Sequence, residues 1–167
     1  MSAAALPPEA RALVDALGLA PHPEGGFYRE TFRAPAIVTV DGRPPRSAST
    51  AIYFLLPEGS FSALHRVASD EVWHHYDGAP IELHTLAEDG AHRSLRLGRD
   101  LARGERPQVV VPAGVLQAAV AVGGPFALVG CTVAPGFDFA DFDLPARADL
   151  EARFPDHVAL VRALTRA

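Results

Sequence analysis

The sequence lacks most of the features that mark secreted, membrane-bound or nucleic-acid-binding proteins. It contains one cysteine, Cys131, in the apolar run FALVGCTVAP, so an intrachain disulfide is excluded and a buried thiol is expected. It contains no run of lysine or arginine, and its net charge of −5 argues against binding to nucleic-acid phosphates. Residues 1–20 lack the basic start and long apolar stretch of a signal peptide, and no segment is long enough to cross a membrane. We therefore expect a cytoplasmic protein that binds neither nucleic acid nor membranes.

The composition is that of a single soluble domain with a hydrophobic core. The chain has 167 residues, of which 49% are hydrophobic and 21% are charged. Its 15 prolines and 14 glycines are scattered along the chain, which is typical of a fold with many turns between short strands. We expect one domain over residues 1–167.

Segments with the composition of β-strands follow one another from about residue 26 to about residue 135. Turn sequences such as PEG, DGAP, EDG and PAG separate them. Many short strands at nearly regular spacing predict an all-β sandwich or barrel. Helical spacing occurs outside this region, in a short helix over residues 6–18 and a helical segment over residues 145–166. The strand-like segments are FYRETFRA, SASTAIYFLL, EVWHHY, IELHTL, HRSLRL, QVVVP, LQAAVAV and FALVGCTVA.

The stretch GSFSALHRVASDEVWHHYDG, residues 59–78, combines histidine and glutamate at a distinctive spacing. The spacing is G-x5-H-x-V-x3-E-x6-G, with His65, Val67 and Glu71 at the internal positions. Further along the chain, the stretch PAGVLQ ends at Gln117. These two patterns resemble the two cupin motifs, G-x5-H-x-H-x3-E-x6-G and P-x-G-x2-H, with Val67 and Gln117 in the places of histidines.

Three longer segments resemble one cupin family more closely. They are HPEGGFYRETFRA, STAIYFLLPEGSFSALHRVASDEVWHHYDGAPIELHTL and VAPGFDFADFDL, in this order, between about residues 10 and 143. In these segments the chain is similar to the cupin-5 family, a domain of unknown function in the cupin superfamily. The resemblance implies a jelly-roll (double-stranded β-helix) barrel, a homodimer and a pocket in the mouth of the barrel. It implies no established reaction, because cupins carry many functions on one fold.

The resemblance also implies where the motif residues point. In typical cupins, the motif histidines and the glutamate face the barrel interior and together bind one metal ion. Here that set is reduced to His65, Glu71 and Gln117, because valine cannot bind a metal and an amide oxygen is a weak neutral ligand. We predict no cofactor, and the alternative is a divalent metal held weakly by these three residues.

The same residues are suited to proton transfer. A histidine with a pKa near neutrality, held by a carboxylate, is a competent general base. We therefore predict His65 as the base and Glu71 as the group that orients it. A tyrosine supplies the acid in this scheme: Tyr28, or else Tyr53 or Tyr76. The structural alternative is that His65 and Glu71 only bond to each other and fix the strand register.

Other side chains are predicted to bind a small ligand inside the barrel. Trp73 and His75 lie on the strand face that is expected to point inward and to line the pocket. Arg29 is a candidate for binding an anionic group, because a guanidinium can bond a carboxylate or phosphate through two nitrogens. Tyr53 and Gln117 complete the predicted ligand-binding set.

Three functions fit these residues. The first is a metal-independent enzyme, similar to sugar epimerases and isomerases, that acts on a small polar or anionic organic molecule. The second is a non-catalytic cupin that binds or senses such a molecule. The third is a metal-dependent cupin enzyme with a reduced ligand set. The sequence leaves these alternatives open, and with them the question of whether the protein is an enzyme.

Overall fold

The computed structural model describes residues 6–166, and β-strands are its main elements. The two ends of the predicted domain, residues 1–5 and residue 167, lie outside the described residues. The helices are α1 (Pro8–Leu17), α2 (Arg147–Arg153) and α3 (Val158–Ala163). The strands are β1 (Ala20–Pro21), β2 (Phe27–Arg33), β3 (Ile37–Val40), β4 (Arg43–Ser47), β5 (Thr50–Pro57), β6 (Phe61–Val67), β7 (Asp70–Gly78), β8 (Ile81–Leu86), β9 (His92–Leu97), β10 (Gln108–Val111), β11 (Leu116–Ala121), β12 (Phe126–Ala134) and β13 (Phe142–Asp143).

Most strands belong to two antiparallel sheets that face each other. The larger sheet has the order β1-β2-β5-β12-β7-β10, and the smaller sheet has the order β13-β6-β11-β8-β9. Neighbours in a sheet are often distant along the chain, since β12 pairs with both β5 and β7. This is a jelly-roll arrangement, and the predicted all-β class is confirmed.

Alternation along the strands builds the core between the sheets. On β5, Phe54 and Leu56 point into the core, whereas Leu55 points outward and packs beneath α1. On the smaller sheet, Leu83 of β8 and Ala119 of β11 face the same interior. Several strands are apolar on both faces, because one face packs in the core and helices cover parts of the other.

The helices cover the outer faces of the two sheets. Helix α1 packs Val14 against Leu128 of the larger sheet. Helices α2 and α3 pack Leu150 and Val161 against the smaller sheet. No helix within residues 6–166 is both long and apolar enough to span a membrane.

The hairpin formed by β3 and β4 was not predicted from the sequence. Pro44 and Pro45 lie within β4, and proline is unusual inside strands because it cannot donate a backbone hydrogen bond. The hairpin is a two-stranded sheet of its own, so β4 pairs with β3 alone and tolerates both prolines.

The core makes a direct prediction about stability. Leu83 is fully buried between the sheets, and Leu83→Ala should lower the free energy of unfolding by about 2–5 kcal/mol because it leaves a cavity. Leu101 is exposed, so Leu101→Ala is the matched control and should change stability by less than about 0.5 kcal/mol. Urea unfolding followed by circular dichroism measures both variants. Equal losses in the two would contradict this description of the core.

Candidate functional site

A cavity of about 240 Å³ lies between the two sheets, at the end of the barrel where β5 and β7 begin and β6 and β12 end. Its inner part carries several polar side chains, and its outer part is lined by aromatic side chains from the segment that follows β12. The lining residues are His22, Glu24, Tyr28, Glu30, Arg33, Thr50, Ile52, Phe54, His65, Val67, Glu71, Cys131, Val133, Phe137, Asp138, Phe139 and Phe142.

His65 lies at the inner end of the cavity and is almost completely buried. Its Nδ1 is 2.8 Å from the carbonyl oxygen of Ala63, and because a carbonyl can only accept, Nδ1 carries the proton. The other nitrogen, Nε2, is then an acceptor, and it lies 3.2 Å from Oε2 of Glu24. The ring is therefore held in one tautomer with a lone pair directed at a carboxyl group.

Glu24 is surrounded by groups that require one of its oxygens to carry a proton. Ser62 donates its hydroxyl to Oε1 at 2.8 Å. Oε2 lies between His65 Nε2 and Nδ1 of His22, which is 3.4 Å away. His22 Nδ1 also accepts the backbone N–H of Glu24, so both imidazole nitrogens at Oε2 are acceptors. A proton on Oε2 of Glu24 satisfies His65 Nε2, the nearer of the two, whereas His22 Nδ1 already has the backbone N–H as its donor.

The pKa values of these groups agree with an uncharged cluster. Burial raises the pKa of Glu24 to about 8. Burial lowers the pKa of His65, and burial together with the neighbouring His65 lowers the pKa of His22 to about 4. At neutral pH, Glu24 is thus a neutral acid between two neutral imidazoles.

Glu71 is held by a chain of hydrogen bonds that runs behind the cavity. Trp73 donates its indole N–H to Oε1 of Gln117 at 2.9 Å, and Gln117 donates its amide to Oε2 of Glu71 at 2.5 Å. Since an indole nitrogen can only donate, Trp73 fixes the orientation of the Gln117 amide. Burial raises the pKa of Glu71. Burial also raises the pKa of Cys131, so this cysteine is a thiol at neutral pH.

The structure brings together three of the predicted site residues and separates others. His65, Glu71 and Tyr28 all line the cavity. The carboxyl that contacts His65 is Glu24, however, and Glu71 lies beyond ion-pair distance of it. The position next to His65 that was expected for Glu71 is thus occupied by Glu24, a residue of the loop that precedes β2.

Trp73, His75 and Gln117 point into the barrel but not into the cavity. Trp73 and Gln117 lie behind Glu71 and support it. His75 lies two residues beyond Trp73 on β7 and bonds through Nε2 to the carbonyl oxygen of Ala79. Trp73 and His75 face the barrel interior, as the strand alternation predicted. They do not line the cavity, because the cavity occupies only one end of the barrel.

Arg29 and Tyr53 lie on the outer face of the larger sheet, so the structure does not bring them to the cavity as expected. Arg29 donates to the carbonyl oxygen of Leu17 at the end of α1. Tyr53 belongs to the cluster beneath α1 and contacts the ring of Tyr76, which is itself exposed. The reason is alternation: residues 28, 52 and 54 face the cavity, so their neighbours face outward.

The most important residues that the sequence analysis missed are His22 and Glu24. They lie in the loop PHPEGG, which packs directly against β6, where Ala63 donates its backbone N–H to the Glu24 carbonyl at 2.8 Å. A Cβ on Gly25 would lie 2.3 Å from the carbonyl oxygen of Phe61, so this close approach requires glycine, as does its φ of 114°. An acidic residue directly before two glycines was the available signal.

Comparison with known proteins identifies the family. Residues 11–145 match the family described as "Cupin superfamily (DUF985)". The chain belongs to this cupin family. The resemblance inferred from the motifs is thereby confirmed.

Several proteins are similar to this cupin along most of their length. The "Uncharacterized protein YML079W" of Saccharomyces cerevisiae is 30% identical over 151 residues, which cover 81% of this chain and 74% of the yeast protein. A "Hypothetical protein from Leishmania major" has a TM-score of 0.90 at 33% identity, covering 95% of this chain and 99% of that one. Protein SO0799 from Shewanella oneidensis has a TM-score of 0.85 at 39% identity, covering 93% of this chain and 96% of that one.

The side chains of this cupin do not fit the metal ion that typical cupin motifs bind. Val67 offers no ligand atom, and the amide oxygen of Gln117 accepts from Trp73 instead of facing the cavity. Both nitrogens of His65 are directed at other groups. Within residues 6–166, no group of three or more His, Cys, Asp or Glu side chains is arranged to hold a metal ion.

The donor set makes a prediction about metals. We expect chelator-treated protein to keep its melting temperature, and we expect no increase when Mn²⁺ or Ni²⁺ is added back. A metal that bound the folded state tightly would raise the stability by mass action. Differential scanning fluorimetry and elemental analysis provide the measurement, and one equivalent of metal after purification without added metal would disprove the prediction.

The buried acid makes a prediction about pH. Folding raises the pKa of Glu24 from 4.5 to about 8, so the folded state holds a proton that the unfolded state has lost. Stability contributed by Glu24 is therefore full below pH 4.5 and decreases as the pH rises towards 8. His22, whose pKa falls from 6.5 to about 4, has the opposite effect only below pH 6.5. The free energy of unfolding should thus decrease between pH 6.5 and pH 8.

The variant Glu24→Gln tests this assignment because an amide has the shape and donor capacity of a neutral carboxylic acid. It should fold and should show a smaller decrease in stability between pH 6.5 and pH 8 than the wild-type protein. Glu9→Gln, at an exposed position of α1, is the control and should keep the wild-type slope. Urea unfolding at several pH values measures the slopes, and an unchanged slope in Glu24→Gln would refute a neutral Glu24.

Proposed function

We propose that this cupin binds a small polar organic molecule in the cavity and isomerises or epimerises it by metal-independent proton transfer. Glu24 and His65 form the proton-transfer pair, and Tyr28 is the second acid. The observation that carries the proposal is the contact of 3.2 Å between Glu24 Oε2 and His65 Nε2 in a buried position that lines the cavity. A carboxyl with a pKa of about 8 is close to the value at which a general acid–base group is most effective near neutral pH.

The pair can supply a base without any net change in its charge. When the Glu24 proton moves to His65 Nε2, the carboxylate becomes free to accept a proton from a carbon atom next to a substrate carbonyl. The electron pair of the broken C–H bond moves into the carbonyl and gives an enolate, whose charge is balanced by the protonated His65. Delivery of the proton from Glu24 to a neighbouring atom completes an isomerisation.

Tyr28 is suited to the second proton transfer. It lines the same cavity, and its ring lies edge-on to His22, with the ring centres 4.6 Å apart. For an epimerisation, its hydroxyl donates a proton to the other face of the enolate carbon, and the proton held by the pair then returns to the tyrosinate. Tyr53 and Tyr76, the other candidates from the sequence, lie on the outer face of the sheet.

The experiment is exchange of carbon-bound hydrogen for solvent deuterium, followed by NMR. The probes are neutral ketones and aldehydes, such as hydroxyacetone and phenylacetone, together with reducing sugars. Glu24→Gln and His65→Ala should each slow the exchange by about 10²-fold or more, because each removes one member of the pair. Glu82→Gln and His92→Ala alter residues outside the cavity and are the controls, which should exchange at the wild-type rate.

Two results would contradict the proposal. The first is exchange at an undiminished rate in both Glu24→Gln and His65→Ala. The second is tight binding of a probe by the wild-type protein with no exchange above the rate in buffer, which would favour the non-catalytic, ligand-sensing alternative.

A further inference from the structure

We infer that the ligand of this cavity is an uncharged molecule with a flat apolar part about the size of one ring, bound with a carbonyl or hydroxyl group at Glu24. The inference rests on the proposed function for its choice of site. It goes further by naming the charge, the shape and the orientation of the ligand.

The charges around the cavity oppose an anionic ligand. Arg33 is the one cationic side chain that lines the cavity in the described part of the chain, and its guanidinium already has partners. It donates to both oxygens of Glu30, at 2.9 and 2.7 Å, and to the carbonyl oxygen of Phe137 at 3.0 Å. Glu24 and Glu71 line the cavity as buried carboxyls and offer an anion no positive charge. The carboxylate of Asp138, at the outer part, would repel a carboxylate or a phosphate. The anionic ligand expected from Arg29 is thus unsuited to this cavity.

The inner end of the cavity also opposes a cationic ligand. An ammonium group there would need an ionised carboxylate as partner, because a buried charge is costly unless it is paired. Glu24 holds its proton between two imidazole acceptors, and Glu71 accepts the Gln117 amide N–H. Both carboxyls therefore already have hydrogen-bond partners. A neutral donor or acceptor on the ligand disturbs these hydrogen bonds less than a charged group does.

The outer part of the cavity favours a flat apolar group. The rings of Phe137, Phe139 and Phe142 contact one another edge-on, with centre-to-centre distances of 5.1 to 6.1 Å. These three rings form one wall of the cavity, and Tyr28 and Phe54 belong to its other walls. Aromatic walls of this kind bind ring-shaped ligands through stacked and edge-to-face contacts. The side chain of Phe139 is 52% exposed, which leaves part of this wall open to a ligand at the mouth.

The size of the cavity limits the ligand further. Its volume of about 240 Å³ is below the range of about 300–1,000 Å³ for pockets that enclose drug-sized ligands. A nucleotide sugar is too large to be enclosed, and its phosphates are anionic. A single ring with one or two short polar substituents matches both the volume and the position of the polar end.

The test compares three probes with the same ring and different charges at pH 7: benzyl alcohol, benzoate and benzylammonium. Ligand-observed NMR with the full-length protein measures their dissociation constants. We expect benzyl alcohol to bind with a dissociation constant of about 1 mM and each charged probe to bind at least about ten times more weakly. Propanol, which lacks the ring, should also bind about ten times more weakly than benzyl alcohol.

A pair of matched variants locates the binding site. Phe139→Ala should weaken binding of benzyl alcohol about fivefold, because it removes part of the aromatic wall. Phe32→Ala is the control: Phe32 is also 52% exposed but lies outside the cavity lining, and its loss should leave the affinity unchanged. Wild-type melting temperatures in both variants confirm that they are folded.

The outcomes separate this inference from the proposed function. Equal or tighter binding of benzoate or benzylammonium overturns the assignment of an uncharged ligand, as does the absence of benzyl alcohol binding up to about 10 mM. An equal effect of Phe32→Ala and Phe139→Ala overturns the assignment of the aromatic wall. Binding as expected without deuterium exchange in phenylacetone supports the ligand class and contradicts only the proposed proton transfer.

Discussion

Burial of two carboxyl groups and two imidazoles inside an apolar barrel is the constraint on which the rest of this structure depends. A charged group is costly in such surroundings unless it has a partner, and a neutral group is costly unless its hydrogen bonds are satisfied. The protein meets both conditions by placing donors opposite acceptors. Ser62 and the Glu24 acid supply protons, while His22 and His65 supply lone pairs, so the cluster is uncharged and still hydrogen-bonded.

This constraint explains features that are far apart in the sequence. The loop PHPEGG must approach β6 closely enough for Glu24 to reach His65, and Gly25 permits that approach. Arg166, near the other end of the chain, donates to the carbonyl oxygen of Glu24 at 2.5 Å through the space left by Gly25. The position of the buried acid therefore depends on both ends of the described chain, and the barrel holds these ends together.

The fold and part of the site were predictable from the sequence, and the reasons are local. The strand pattern is a property of short segments, and it correctly predicted an all-β sandwich or barrel. The resemblance of the His65–Glu71 spacing to the first cupin motif implied a jelly-roll with both residues facing inward, as the structure has them. The partner of His65 was not predictable in this way, because Glu24 comes from an irregular loop whose path depends on tertiary contacts. Arg29 was chosen for its chemistry, although the alternation that faces Tyr28 inward places Arg29 on the opposite face of β2.

The hydrogen bond from Trp73 to Gln117 has a consequence for observing the protein in solution. Trp73 is the only tryptophan in the chain, and its indole is shielded from water. Its N–H is linked through a single amide to the carboxyl of Glu71, which borders the cavity. The tryptophan fluorescence of this cupin thus originates from one indole, and ionisation of Glu71 or occupation of the cavity changes the electric field at that indole without any added label.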